Sequence, residues 1–196
     1  MSKGDNTRRL IVGHALKRAT TEGLDGLSIG TLAADLGLSK SGLFAHFRSK
    51  QALQLQVLTA AQHQFIDKVV RPALTSPRGE PRVRALFEGW VGWSSSAERP
   101  GGCIFVAASS ELDDQPGPLR DLLAELQYQW TQTLERSADI AVQEGHFRAD
   151  LDRKQFAFEL YSLLLGRHLF ARLLEDPDAA EMTRTGFERL LASVRA

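Results

Sequence analysis

Apolar residues recur at helical spacing along nearly the whole chain, and no stretch shows the sustained apolar/polar alternation that a sheet requires. This single property restricts the fold to an all-α architecture. Leu10, Ile11, Ala15 and Ala19 form a first stripe, which Glu22-Gly23 ends. Ser28 can cap a second, short helix carrying Ile29, Leu32, Ala33 and Leu36. Gly37 stops it, because glycine takes positive φ at a helix end without strain. Ser39 can cap a third helix running to about Phe47. Ser49 can cap a long fourth one, 50–70, through Leu53, Val57, Phe65 and Val69.

The seven prolines fall between apolar runs or at helix starts. They divide the remainder into expected helices over 82–98, 102–113, 118–144, 153–175 and 178–194. PALTSPRGEP, 72–81, reads as a linker.

Charge separates the chain more sharply than its formal net charge of zero suggests. Residues 1–50 hold eight Lys/Arg against four Asp/Glu, net +4; the rest holds sixteen against twenty, net −4. Such asymmetry points to an anion-binding head on an acidic body, against the alternative of chance clustering of solvated charge. One cysteine, Cys103, excludes an internal disulfide framework and fits a reducing compartment. The N-terminal residues lack a signal-peptide pattern. No apolar run reaches the roughly 18–20 residues of a membrane span. The chain is therefore expected to be cytoplasmic.

Two short helices joined by a tight Gly-containing turn make the helix-turn-helix pattern. Its second helix enters the major groove of DNA and presents its first residues to base edges. LSKSGLFAHFRSKQAL, 38–53, has the chemistry this demands. Ser39, Lys40, Ser41 and Gly42 form a small polar leading edge. Leu43 and Phe47, four apart, anchor the trailing face. Lys50 sits in the first turn of the next helix, where backbone N–H groups and a cation suit phosphate.

The stretch LSIGTLAADLGLSKSGLFAHFRSKQAL, 27–53, resembles the TetR family of bacterial transcription regulators. Leu32-Ala33, Gly37-Leu38-Ser39, Leu43, His46-Phe47, Ser49-Lys50 and Leu53 match the family pattern. The resemblance implies a head, 1–50, with a three-helix helix-turn-helix DNA-binding fold. It also implies a helical effector-binding and dimerisation domain, 51–196. DNA contacts are expected from Ser28, Thr31, Ser39, Lys40, Ser41, Gly42, Ala45, His46 and Lys50. For His46 the alternative is packing beside Phe47; for Ser39, capping alone is a sufficient role. Two positions depart from the pattern. Phe44 stands where the family usually has Tyr, which removes a hydroxyl from the phosphate contacts. Ala45 replaces a larger residue, which implies either weaker backbone contacts there or a methyl offered to a thymine methyl.

The segment 153–175 is apolar nearly all round, so it needs cover on several sides. The resemblance implies that the last two helices form a four-helix interface across a two-fold axis. The expected interface residues are Tyr161, Leu165, His168, Leu169, Arg172, Phe187, Leu190, Leu191 and Val194. The alternative is an ordinary monomer core. Aromatics gather in the middle of the chain, either as core or as an apolar ligand pocket. Candidate effector residues are Phe65, Phe87, Trp90, Cys103, Phe105, Tyr128, Trp130 and Tyr161. Cys103 could equally be a buried, inert thiol. The acids of ELDDQPGP, 111–118, read as a solvated turn rather than a metal site.

There is no Gly-rich phosphate loop, no Cys-x-x-Cys or His-x-x-x-His spacing and no nucleophile elbow; the five histidines are scattered. No enzymatic activity, cofactor or metal is expected. The expected protein is a ligand-responsive homodimeric regulator, a repressor, binding an inverted-repeat operator in double-stranded DNA. A small apolar or aromatic effector releases it. The competing readings are an all-helical enzyme using a cavity in the C-terminal domain, or a helical interaction module without DNA binding.

Overall fold

Serine and glycine set the limits of the short helices near the N-terminus. In the computed structural model, which describes residues 3–196, α1 spans Lys3–Glu22, α2 Ile29–Asp35 and α3 Lys40–His46. Met1 and Ser2, the start of the expected 1–50 head, lie outside the described residues. Ser28 is extended and its hydroxyl accepts the Thr31 N–H; Ser39 is extended and its hydroxyl accepts the Gly42 N–H. Gly37 sits at φ 63° after α2, as a helix stop requires. Then follow α4 (Lys50–Phe65), a π-helical turn (Ile66–Val70) and α5 (Arg71–Thr75) without a break. The rest is α6 (Glu80–Ser94), α7 (Ile104–Leu112), α8 (Pro118–Gln143), α9 (Arg153–Arg172) and α10 (Ala179–Val194). Among the described residues no β-strand forms; one isolated bridge pairs Phe147 with Arg195.

The expected linker 72–81 is shorter than its composition suggests. Arg71–Thr75 is helical, although it contains Pro72. A proline has no N–H and its ring crowds the carbonyl four residues back. The turn just before it is widened to π geometry, with the Arg71 N–H reaching Ile66 O. That local widening carries the helix into the proline.

The chain forms two compact units. One comprises the residues through Gln64 together with Ser96–Glu125; the other comprises Phe65–Ser95 and Leu126–Ala196.

In the first unit, Ile11, Ala15 and Ala19 of α1, Leu32 of α2, Leu43 of α3 and Leu53, Val57 and Leu58 of α4 are buried. Polar contacts fix the register of α1 on α2. Arg18 pairs with Asp35 at 2.6 Å, and His14 Nε2 lies 2.9 Å from the same carboxylate. The hydrogen bond from His14, with Arg18 beside it, holds the Asp35 carboxyl below its ordinary range. The segment ahead of α7 packs on the end of α1. There the Gly101 N–H donates to Thr20 Oγ1 at 3.2 Å, and a Cβ on Gly101 would fall 1.4 Å from Thr20 O. Only glycine permits that approach.

In the second unit, α9 packs along α10, and α6 packs on α5, the π turn and α9. Phe87 of α6 lies flat on Phe187 of α10, ring centroids 3.9 Å apart at 9°. Phe65 is edge-on to both Trp93 and Trp130, at 5.3 and 5.0 Å. At the rim, Glu80 accepts from Arg195 at 2.6 Å and from Arg84 at 2.8 Å, and Arg84 also reaches Glu188 at 2.5 Å.

Candidate DNA interface and effector-binding residues

α3 has two faces. Leu43 and Phe47 are fully buried on one, while Lys40, Ser41, Phe44 and Ala45 are exposed on the other. Leu43 and Phe47, four apart, share the buried side of the helix. The leading edge is ordered by its own hydrogen bonds. The Gly42 N–H donates to Ser39 Oγ at 3.0 Å, and the Ser41 hydroxyl lies 3.2 Å from that oxygen. A Cβ at Gly42 would come within 3.0 Å of Ser39 Oγ, so a larger residue would crowd the cap. Ser28 and Thr31 are exposed at the start of α2, with the Thr31 N–H 3.4 Å from Ser28 Oγ. The Lys40 stem lies over α2, its Cε 3.2 Å from where a Cβ on Gly30 would stand.

His46 is half-buried, with its ring 6.4 Å from that of Phe47 at 55°. Lys50 is exposed and donates through Nζ to Asp25 O. An ammonium has three donors, so this bond anchors the side chain and leaves it able to meet a phosphate. Arg8 of α1 adds a contact that its spacing did not reveal. Its Nε donates to Gln56 Oε1 at 2.8 Å and its guanidinium stands 5.5 Å from the Phe47 ring centroid, which ties α1 to the anchor of α3.

The nine expected DNA-contact residues therefore lie on α2, on α3 and at the start of α4, and none of them is buried. Phe44, not among them, is 50% exposed on the same face. Its outward placement was not legible from spacing, since Phe44 lies three residues from Phe47 and reads with the apolar side of the stretch.

The expected effector residues divide. Phe65, Phe87, Trp90 and Trp130 are buried in the second unit. Phe65 and Trp130 touch, and Trp93 joins them, but Phe87 belongs to the core stack with Phe187. The buried Trp130 indole N–H has no hydrogen-bond partner among the described residues. Tyr128 points outward and is 59% exposed, because α8 turns its other side inward through Leu126, Trp130 and Leu134. Tyr161 is half-buried and donates its hydroxyl to Gln127 at 2.7 Å. Cys103 and Phe105 are buried in the first unit at the start of α7. In the 111–118 run, Asp113 and Asp114 are exposed. Glu111 departs from the expected solvated turn: it accepts the backbone N–H groups of Leu24 and Asp25.

The expected interface residues divide too. Phe187, Leu190, Leu191 and Val194 are already covered within the chain, because the inner stripe of α10 faces α9 and α6. Leu165, Leu169 and Arg172 are exposed, and His168 and Tyr161 are half-buried. Burial lowers the His168 pKa, with Arg172 adding to the effect. An apolar groove of about 640 Å³ runs between α9 and α10, lined by Phe158, Leu163, Gly166, Phe170, Met182 and Leu190 among others. Of these six, only Leu190 is among the expected interface residues. Phe158, Phe170 and Met182 are exposed large apolar residues, as are Leu173 and Leu174.

Two family models match. Residues 11–57 match the bacterial regulatory proteins of the tetR family, and residues 79–187, over half of the chain, match the tetracyclin repressor-like C-terminal domain. The chain belongs to the TetR family. As a TetR-family chain it is a helix-turn-helix, DNA-binding transcriptional regulator. Its fold is shared with solved regulators of low sequence identity. A TetR transcriptional regulator from Chloroflexus aurantiacus is 23% identical, with a TM-score of 0.88 over 100% of this chain and 99% of that one. A transcriptional regulator from Saccharomonospora viridis, solved with choline, is 22% identical, with a TM-score of 0.85 over 98% and 99%. AibR, solved with isovaleryl coenzyme A and operator DNA, is 20% identical, with a TM-score of 0.71 over 91% and 96%. No curated protein matches this TetR-family chain. Among its described residues no helix is long and apolar enough to cross a membrane.

Proposed function

We propose that this chain is a homodimeric, effector-released repressor that binds an inverted-repeat operator in the cytoplasm. The observation that carries the reading is α3, whose capped, small and cationic leading edge is exposed while Leu43 and Phe47 are wholly buried. A helix held in this way can enter a major groove without disturbing its own domain. Ser39, Lys40, Ser41, Gly42, Ala45 and His46 contact the operator, with Lys50, Ser28 and Thr31 on phosphates.

Dimerisation uses the exposed apolar side of α9 and its groove with α10. Leu165, Leu169, Phe158, Phe170 and Met182 are large apolar side chains left exposed on α9 and α10, and clustered exposed apolar residues mark association sites. A second copy, related by a two-fold axis, covers it and sets two α3 helices for two half-sites. The effector is a small apolar or aromatic molecule held beside Phe65, Trp90 and Trp130. The unpaired Trp130 N–H adds a donor for an acceptor atom on that molecule. Ligand-bound relatives of the same fold support an effector; AibR's complex with operator DNA supports the target. A ligand releases DNA by binding the DNA-incompetent arrangement more tightly.

The test is selection of random duplexes by the purified chain, with the mass of the complex measured in parallel. An inverted repeat bound by two chains, or a small multiple of two, is the expected outcome. Selection of no sequence over random DNA, or a monomer at micromolar concentration, overturns the reading.

A further inference from the structure

We infer that Phe44, with Ala45 beside it, reads a thymine 5-methyl group in the major groove, so that each operator half-site carries a thymine beneath the middle of α3. The inference rests on the DNA-binding reading above and adds the base that α3 selects. Among the exposed large apolar side chains of the described residues, only Leu10 and Phe44 belong to the first unit. Leu10 lies on α1; Phe44 lies on the outward face of α3, half exposed, next to exposed Ala45.

The polar groups around these two residues are partly committed elsewhere. The Ser39 hydroxyl caps the helix through Gly42 and has Ser41 within hydrogen-bond distance. Lys40 lays its stem over Gly30. The middle of the outward face is thus an aromatic ring and a methyl, neither with a donor or acceptor.

A major groove offers such a surface one matching group. Guanine, cytosine and adenine present hydrogen-bonding atoms there, whereas thymine adds a methyl at C5. Setting a ring against a polar base edge would strip water from that edge without replacing its hydrogen bonds. Setting it against a methyl removes apolar surface from water on both sides. Lys40 and Lys50 flank the ring in sequence and supply the charge that holds the backbone near, so the ring meets the groove and not bulk solvent.

The experiment starts from the selected duplex and replaces each thymine of a half-site by deoxyuridine, which removes only the methyl. Affinity is read by fluorescence anisotropy at fixed salt. At one thymine per half-site, loss of the methyl is expected to weaken binding by about fourfold, the equivalent of one buried methylene. Phe44→Leu should keep that sensitivity and Phe44→Gln should lose it, with both variants checked for an unchanged thermal midpoint. Equal affinity for every deoxyuridine duplex and the parent overturns the inference while leaving DNA binding intact. Methyl sensitivity undiminished in Phe44→Gln overturns the assignment to Phe44. Failure to select any duplex removes the DNA-binding reading itself.

Discussion

The Glu111 carboxylate accepts the backbone N–H of Leu24 at 2.8 Å, and the same oxygen accepts that of Asp25 at 3.1 Å. One side chain of α7 thus satisfies two donors in the turn that leads from α1 into α2. Gly23, at φ 76°, makes room for it, since a Cβ there would lie 2.2 Å from Glu111 Oε1. Gln54 holds the other side of the turn by donating to Leu24 O at 2.9 Å. Removing the carboxylate leaves the part-buried Leu24 N–H without its acceptor and exposes the Asp25 N–H to water, at a cost of about 1–3 kcal/mol. Glu111→Ala should lower the urea midpoint accordingly, and Glu111→Gln, which keeps one acceptor, should recover part of the loss. Equal midpoints for Glu111→Ala and the parent would show the contact to be energetically idle.

The Phe87–Phe187 stack joins α6 to α10 within the second unit. Both rings are almost wholly buried. Phe87→Ala should cost about 3–5 kcal/mol, the range for deleting a buried phenyl. Phe87→Leu should cost much less. Chemical denaturation of the two variants distinguishes this core role from a ligand-contact role, which would leave stability nearly unchanged.

Glu80 joins α6 to the C-terminus through Arg195 and Arg84. The hydrogen bond from Arg195, then that from Arg84, holds its carboxyl at about 2, against an ordinary 4.5. A depressed carboxyl pKa contributes stability that is complete above about 4.5 and is lost as pH falls toward 2. Arg195 is partly exposed, so solvent screening reduces the contribution to about 1 kcal/mol. Glu80→Gln should therefore be less stable than the parent at pH 6, and the gap should narrow progressively below pH 4.5. A gap that stays constant down to pH 3 would separate Glu80 from the acid response.

Lys50 is bound to Asp25 O yet remains exposed. Lys50→Ala should weaken binding to every duplex and reduce the slope of log affinity against log salt by about one unit. It should also cost about 0.5–1.5 kcal/mol of stability for the lost hydrogen bond. Loss of stability with an unchanged salt slope would make Lys50 a structural residue alone.

Leu165 and Leu191 are both interface residues by the resemblance, yet Leu165 is 38% exposed and Leu191 is 0% exposed. Leu165→Glu places a charge on the outer side of α9 and should give a folded monomer with weakened operator binding. Leu191→Glu buries a charge within the chain and should prevent folding. Sedimentation and circular dichroism of the pair check this. A dimeric Leu165→Glu protein would move the interface off this face.

Local chemistry determined much of this protein from sequence alone. Ser28, Gly37 and Ser39 set helix limits because capping and positive φ are properties of one residue and its immediate neighbours. The spacing of Leu43 and Phe47 placed those two inward and Ala45 outward for the same reason, helical period being a short-range rule, whereas the exposure of Phe44 emerged only in the folded chain. What the sequence left open concerned partners distant along the chain. Tyr128 and Trp130 are two residues apart on one helix, and their period says they point differently without saying which side the domain covers. Glu111 belongs by sequence to an acidic run of the kind that is usually solvated, and only folding brings it 87 positions back to Leu24. An amphipathic stripe requires a cover but does not specify which helix supplies it. Phe187 is covered by Phe87 of the same chain, whereas Leu165 keeps 38% of its surface exposed, and that difference arises only when α6, α9 and α10 are packed together.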